Sequence, residues 1–306
     1  MRKLILALAI IIVALSGCME KAPSSGDIKT LMIHSAANLS AYSFGISDNQ
    51  TESIRDLIKN NITNKYNTTT RSIKTDVAAS VDLAGRKAMA NVSTTTIIKG
   101  PTGQPNIMTS RGLEYDIGNT TYVMKGDGNW TQLKDNHSAE TLWAEGRYNL
   151  MRSRGDAVNQ SKVEVIGSES IDGKDCYKLR LMTDNQTYLG TAYNMLTSVL
   201  FPFVPEVNQT DLLNSSKNEN LVWVEKDNNL LKKYQRTMIM QITPKIIGVL
   251  DLNTGVTRKF NQTLKLVEIS INTDSIETYF DYNKPAAIVV PKSALNTTPI
   301  MPSPIQ

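Results

Sequence analysis

The stretch KVEVIGSESIDGKDCYKLRL, residues 162–181, decides the fold. Apolar and polar residues alternate on both sides of Asp172-Gly173, a dipeptide typical of two-residue hairpin turns. In the second half, from Tyr177 to Leu181, apolar residues alternate with basic ones, and Cys176 falls on the polar face. The pattern predicts an antiparallel hairpin, with Cys176 as an ordinary strand residue rather than a nucleophile.

The same pattern of strands and turns is predicted along most of the chain. Short β-prone stretches separated by turn residues fill residues 41–134, and a second set runs from 162 to 272. Strands at this spacing with hairpin-type turns favour antiparallel meanders over an α/β dinucleotide-binding fold. We therefore predict a mainly β (α+β) protein. Residues 51–62 are compatible with either a helix or a twisted strand.

Helical periodicity appears in three segments, which we predict as helices: 27–39, 138–154 and 188–201. In the first, apolar residues recur every three or four positions from Ile28 to Leu39, and His34 lies on the opposite, exposed side. Ser138 is the expected N-cap of the second.

The third segment, YLGTAYNMLTSVLFPF (residues 188–203), is uncharged and is ended by Pro202. Thr191 and Asn194 fall on its polar face. The apolar face should be buried against the concave face of the sheet, as an ordinary core helix or as a movable lid. The candidate lining residues of a hydrophobic cavity are on this face: Leu189, Tyr193, Leu196, Val199 and Leu200. Trp143, Trp223 and Phe203 are further candidates.

The N-terminus has the layout of an export signal. Arg2 and Lys3 precede the apolar run Leu4–Leu15, which as a helix would rise about 18 Å, too short for a bilayer core of about 30 Å. The run leads into LSGC, which matches the lipobox of prokaryotic lipoproteins, so we predict cleavage before Cys18 and lipidation of its thiol. Two acyl chains would hold the protein at the outer face of the cytoplasmic membrane.

Composition narrows the function further. After cleavage the formal charge of +4 falls to about +2, and there is no basic run typical of nucleic-acid binding. Cys176 is the only cysteine besides Cys18, so no disulfide framework is expected.

Asn-x-Ser/Thr sequons are unusually dense. There are fourteen of them, whereas composition alone would give about four to five. A lipobox with so many sequons indicates an archaeal cell surface, and each modified site would lie in an exposed loop or strand edge. The glycosylation candidates are Asn38, Asn49, Asn61, Asn67, Asn91, Asn119, Asn129, Asn136, Asn159, Asn185, Asn208, Asn214, Asn261 and Asn296.

Catalytic motifs are missing from the sequence. The two histidines, His34 and His137, form no His-x-x-x-His pair, and there is no Cys-x-x-Cys, Gly-x-Ser-x-Gly or phosphate-binding glycine loop. We therefore predict no enzyme activity, metal site or cofactor.

Three segments resemble parts of the LolA-like carriers, especially the LppX and LprG lipoproteins: residues 113–133, 163–181 and 279–294. The resemblance spans roughly residues 27–294. It implies a long curved antiparallel sheet that forms an unclosed barrel, with helices plugging the concave mouth and an apolar cavity for acyl chains. The sequon-rich insertions at 61–71 and 208–220 depart from the common pattern.

Together these observations predict a signal peptide (1–17), a lipidated tether (18–26), a half-barrel domain (27–294) and a disordered tail (295–306). The predicted function is a membrane-anchored, extracytoplasmic carrier of lipid or another hydrophobic small molecule, with the membrane as its partner through Cys18. The alternatives are a glycosylated envelope scaffold or a sensor module with the same fold and no transported ligand.

Overall fold

The computed structural model describes residues 23–59, 66–124, 126–144, 149–200, 203–243, 247–251, 256–259 and 267–300. In chain order the elements are α1 (Ser25–Ala37), β1 (Ala41–Lys59), β2 (Tyr66–Asp82), β3 (Lys87–Lys99), β4 (Pro105–Ile117), β5 (Thr120–Met124), β6 (Trp130–Lys134), α2 (Ala139–Ala144), α3 (Leu150–Gln160), β7 (Lys162–Ile171), β8 (Lys174–Met182), α4 (Asn185–Leu200), β9 (Phe203–Val207), α5 (Gln209–Asn214), β10 (Ser216–Glu225), β11 (Leu231–Ile242), β12 (Ile247–Asp251), β13 (Val256–Lys259), β14 (Val267–Phe280), α6 (Lys292–Leu295) and β15 (Pro299–Ile300).

One long unclosed sheet dominates the molecule. Its strand order is β15-β6-β5-β4-β3-β2-β1-β14-β11-β10-β8-β7, and every pairing except that of β15 with β6 is antiparallel. A small second sheet has the order β13-β12-β9. The prediction of a mainly β protein with an unclosed antiparallel sheet and helices is confirmed.

Two meanders are joined by one late strand. β1 to β6 form the first meander, and β7, β8, β10 and β11 form the second. β14 lies between β1 and β11, with a ladder to β1 that runs from Ser43 opposite Phe280 to Asp56 opposite Val267. Residues 51–59 therefore continue a strand, which decides between the two predictions for that segment.

The predicted hairpin at 162–182 forms as expected. Lys162 pairs with Met182 and Ile171 pairs with Lys174. Asp172 and Gly173 both have positive φ, 50° and 75°, as the tight turn between right-twisted strands requires.

Helices cover one face of the sheet, which is the concave face of the half-barrel. Side chains alternate between the two faces of each strand, and those that point toward the helices form the main core. Tyr42, Phe44 and Tyr279 stack as tilted aromatic neighbours with ring centroids 6.0–6.2 Å apart. Ile28 and Met32 of α1 pack into the same core.

α1 begins at Ser25, two residues before the start of the predicted helix. Ser24 and Asp27 form a capping box: Ser24 Oγ accepts a hydrogen bond from the Asp27 backbone, and Asp27 Oδ2 accepts one from the Ser24 backbone at 2.9 Å. His34 is exposed, as predicted, but Leu31 is exposed as well.

The predicted helix at 138–154 is instead two helices, α2 and α3. Ser138 caps α2, since its Oγ accepts a hydrogen bond from the Thr141 backbone at 3.1 Å. Asn149 caps α3 in the same way through Arg152. The second cap explains the break, because an asparagine that binds the following backbone starts a new helix.

Near the C-terminus, Pro299 and Ile300 pair in parallel with Gln132 and Leu133, inside the segment predicted as a disordered tail. No helix among the described residues is long and apolar enough to cross a membrane. Cys18, the predicted anchor, lies outside the described residues.

Cys176 is fully buried, although the sequence pattern placed it on the polar face. Its Sγ donates a weak hydrogen bond to the Lys174 carbonyl oxygen at 3.4 Å. Burial, with the nearby charge of Glu225, raises the pKa of the thiol to about 11. The thiol is therefore protonated at neutral pH, in agreement with a structural role.

Asp116 is a buried acidic residue whose ionisation affects the stability of the fold. Its side chain is 8% exposed on β4 and accepts a hydrogen bond from Thr121 Oγ1 at 2.6 Å. Burial raises the pKa of this carboxyl to about 7. Because the folded state keeps a proton that the unfolded chain releases near pH 4, this group stabilises the fold at low pH, and that contribution is lost as pH rises through 7.

We predict that Asp116→Asn lessens the loss of unfolding free energy between pH 5 and pH 8, by on the order of 2–3 kcal/mol. Urea unfolding of both proteins at the two pH values measures the difference. Asp227→Asn, at an exposed turn position, is the matched control. Equal pH profiles for wild type and Asp116→Asn would contradict the assignment.

Candidate functional site

A buried ion pair divides the concave face. Arg154 of α3 reaches Glu277 of β14 with two hydrogen bonds, one of them Nε to Oε2 at 2.8 Å. The Tyr279 hydroxyl donates to the same Oε2 at 2.6 Å, and the guanidinium lies 4.6 Å from the Tyr234 ring centroid. Burial alone would lower the pKa of Arg154, but Glu277 raises it above its usual value. Both carboxylate oxygens of Glu277 therefore accept hydrogen bonds, from Arg154 and from Tyr279.

Beyond this pair, four neighbouring strands present polar side chains to the interior. Asn220, Arg236, Ser275 and Asp48 occupy successive register positions on β10, β11, β14 and β1. We call these four residues the polar band. Alternation places them on the same face as the core residues of their strands. The concave face is thus apolar beneath α1 and α3 and polar along this band, and Met238, Met240 and Ile271 are buried beyond it.

The helix α4 lies above the polar band. A central cavity of about 450 Å³ is lined by Thr191 and Asn194 of the helix together with Asp48 and Arg236. A smaller side cavity of about 180 Å³ shares Thr191, Tyr234 and Arg236 with it and extends toward Asn220. The central cavity is within the size range of small-molecule sites.

This arrangement agrees with the predicted orientation of α4 at Ala192, which is buried, and differs from it at Thr191 and Asn194. Thr191 and Asn194 were expected on the outer face of the helix, but they face the cavity that the sheet lines. The physical reason is the polar band, which offers hydrogen-bond partners where an apolar sheet surface was assumed. Ala192 and Tyr188 are the buried contacts of the helix in its described part.

The predicted lining residues fall on the other side of α4. Leu189 and Tyr193 line an outer cavity of about 460 Å³ between α4 and α5, together with Leu212. The Tyr193 side chain is 40% exposed, at the rim. The side chains of Leu196, Val199 and Leu200 lie outside the described part of the chain. The structure therefore brings two of the five predicted residues to one cavity.

The two described aromatic candidates, Trp143 and Trp223, lie on opposite faces of the sheet. Trp143 is buried beside α1 and α3, where it lines a separate cavity of about 320 Å³ and its Nε1 donates to the Gly118 carbonyl oxygen at 2.8 Å. Trp223 is buried on the opposite, convex face, between Lys178 and Lys233, and donates to Glu169 Oε2 at 3.0 Å. It lines none of these cavities. The side chain of Phe203 is outside the described part.

Sequence reasoning missed Asp48 and Arg236. A signal for both existed: Asp48 continues the inward series Tyr42, Phe44, Ile46 on β1, and Arg236 lies between the inward residues Tyr234 and Met238 on β11. A charge in the apolar register of an alternating strand marks an interior polar position.

No group of three or more His, Cys, Asp or Glu side chains that could hold a metal ion is present among the described residues. His34 and His137 are both exposed, and His137 contacts Asp135 at 2.7 Å on the surface.

Most sequons that the structure describes are accessible. The exposed asparagines are Asn38, Asn49, Asn91, Asn129, Asn136, Asn159, Asn185, Asn208, Asn214 and Asn296. Asn67 and Asn119 are partly buried, whereas Asn61 and Asn261 lie outside the described residues. The Asn119 Nδ2 donates hydrogen bonds to two carbonyl oxygens, those of Asp135 and His137, at 3.2 and 3.4 Å, whereas the exposed Asn38 Nδ2 donates to one, that of His34, at 3.0 Å.

These features define the class of protein: a half-barrel whose unclosed antiparallel sheet holds a groove beneath a helix. In fold the chain is similar to the lipoprotein LppX of Mycobacterium tuberculosis (TM-score 0.36, 12% identity, 86% of this chain and 96% of that one). It is also similar to LprF of Mycobacterium bovis (0.35, 13%, 88% and 97%) and to a DUF1329 family protein of Desulfovibrio piger (0.24, 12%, 87% and 93%).

No protein-family model and no curated protein matches the sequence.

We predict strong coupling between Arg154 and Glu277. Arg154→Met leaves a buried carboxylate with one remaining donor and should lower the free energy of unfolding by about 3 kcal/mol. The double variant Arg154→Met/Glu277→Leu should recover at least half of that loss, because it removes both charges. Urea unfolding of the two single variants and the double variant measures the coupling. Additive losses would show that the pair is energetically independent.

We also predict that sugar occupancy follows accessibility. In a host that glycosylates sequons, Asn49 and Asn91 should carry sugar and Asn119 should be the least occupied, because its amide is held by two carbonyls. Glycopeptide mass spectrometry of the folded, secreted protein gives the occupancy at each site. Full occupancy at Asn119 would contradict this prediction.

Proposed function

We propose that the protein is a lipid-anchored binding protein for an amphiphile, held outside the cytoplasmic membrane through Cys18, with α4 as a lid over the groove. It acts as a carrier or receptor and not as an enzyme. The lipobox LSGC and the apolar run before it support anchoring. The sequons support an exported, glycosylated surface.

One observation carries the proposal: α4 is bordered by cavities over its described half. Thr187 and Thr191 line the side cavity, Asn194 lines the central one, and Leu189 and Tyr193 line the outer one. The helices α1 and α3 share one cavity of about 320 Å³, whereas α4 borders at least three, more than close packing of a core helix leaves. A helix that borders voids on several sides has room to move and to admit a ligand.

The two sides of α4 suit the two parts of an amphiphile. Leu189, Tyr193 and Leu212 offer apolar surface for a chain, whereas the polar band offers hydrogen bonds and charges. Each methylene group removed from water stabilises the complex by about 0.8 kcal/mol. Such binding is the physical requirement for taking an acyl chain through water.

A first experiment tests for a bound amphiphile. A secreted form that begins at Met19, purified without detergent from a host of the native type, is weighed by native and by denaturing mass spectrometry. A lipid-sized mass that is lost on denaturation and found in the solvent extract supports the proposal. A mass explained by polypeptide and sugar alone, with no uptake of added lipid, favours the envelope scaffold instead.

A cavity-filling variant makes the test specific. Gly190 lines the outer cavity, and a Cβ placed on it would meet no atom within 4 Å. We predict that Gly190→Leu lowers lipid co-purification at least about fivefold while the helix gains stability, since glycine costs about 1 kcal/mol in a helix interior.

Gly155→Ala in α3 is the matched control, because a Cβ there is also unhindered and Gly155 does not line the cavities beside α4. It should keep the lipid content of the wild type. Equal lipid content in Gly190→Leu and wild type would exclude the outer cavity as the site of the chain.

A further inference from the structure

Arg236 is the charged group around which the two cavities under α4 meet. Its side chain lines both the central and the side cavity. Unlike Arg154, it forms no ion pair with any described carboxylate, and its hydrogen-bond partner is Met238 Sδ, 3.6 Å from Nη2. A guanidinium has five donors suited to phosphate or carboxylate oxygens, so most of its hydrogen-bonding capacity faces the cavity.

Asp48 is the opposite charge on the same cavity. It lies two strands away from Arg236, across Ser275, which corresponds to about 10 Å between backbones. No ion pair joins it to a described basic residue. Burial raises the pKa of Asp48, while Arg236 and Ser275 act to lower it. A cation seated beside this carboxylate would offset the cost of its burial.

Two orphaned oxygens lie next to these charges. Asn218 Oδ1 and Thr273 Oγ1 are buried and have no hydrogen-bond partner. They flank Met238, one register step from Arg236, and they line the side and the central cavity respectively. Since buried polar atoms are normally satisfied, a bound group could form hydrogen bonds here, by donating to Asn218 Oδ1 and by donating to or accepting from the Thr273 hydroxyl.

Resting on the proposed function, we infer that the polar band is the binding site for a zwitterionic headgroup of an amphiphile. The acidic group of the head, a phosphate or carboxylate, lies on Arg236. Its ammonium lies on Asp48, and the remaining donors reach Asn218 and Thr273. The apolar chains leave the groove past Asn194, which lines both the central and the outer cavity.

The charges explain why a zwitterion fits better than an anion or a neutral head. Arg154 and Glu277 cancel each other, so the net charge of the groups facing the central cavity is close to zero. A purely anionic head would meet the repulsion of Asp48, and a neutral head would leave both charges unpaired.

The test uses the full chain with lipid vesicles. A small fraction of the lipid carries a photoreactive acyl chain with one of three heads: phosphoethanolamine, phosphoglycerol or an uncharged glycerol. After irradiation, mass spectrometry measures the yield of protein–lipid adduct for each head. We expect the phosphoethanolamine probe to label best, by about tenfold over the other two.

Two variants remove one charge each. Arg236→Gln and Asp48→Asn should each lower labelling by the phosphoethanolamine probe about tenfold. Arg55→Gln and Asp76→Asn are matched controls, since both residues are exposed on the convex face of the same sheet. Thermal unfolding identifies any variant that fails to fold, and Arg236→Lys, which keeps the charge, should retain part of the labelling.

The outcomes separate the inference from the proposed function. Equal labelling by all three heads, unchanged in the variants, overturns the headgroup site but supports amphiphile binding. Strong labelling by the phosphoglycerol probe that Asp48→Asn leaves unchanged overturns the zwitterion in favour of an anion. No labelling by any probe overturns the proposed function. If soluble phosphoethanolamine then binds in calorimetry, the site takes a small zwitterion and not a lipid.

Discussion

The buried pair of Arg154 and Glu277 is the constraint on which the interior depends. A carboxylate in this position requires a cation and further donors, because burying a charge alone is costly. Arg154 supplies the cation and two donors, the Tyr279 hydroxyl supplies a third donor, and the Tyr234 ring packs against the guanidinium. The pair therefore fixes α3 over β14, the strand that unites the two meanders, and lies at the edge of the polar band.

The concave face differs on the two sides of the Arg154–Glu277 pair. Toward α1 and α2 the concave face carries the main core of aromatic and aliphatic side chains, with a cavity of about 320 Å³ beside Trp143. Toward α4 the same face carries the polar band and the central cavity, and Met238, Met240 and Ile271 are buried beyond the band. The cavities beside α4 are thus bordered by strands on one side and by a helix on the other.

Local patterns predicted much of this fold. The hairpin at 162–182, the buried positions Ile28 and Met32, and the cap at Ser138 each depend on residues close together in sequence. The orientation of α4 could not be found in that way, because the polar band beneath it is assembled from four strands. A helical wheel describes a helix but not the surface it meets, and only the register of β1, β14, β11 and β10 reveals that surface.

The position of β14 affects how each newly made chain folds. Residues 41–59 are made early, yet their second neighbour in the sheet, residues 267–280, is among the last to be made. Until then, β1 is an open edge that invites pairing with other chains. Contacts so distant in sequence form slowly. Sugar added at Asn49, on this very strand, would shield the waiting edge and keep newly made chains apart.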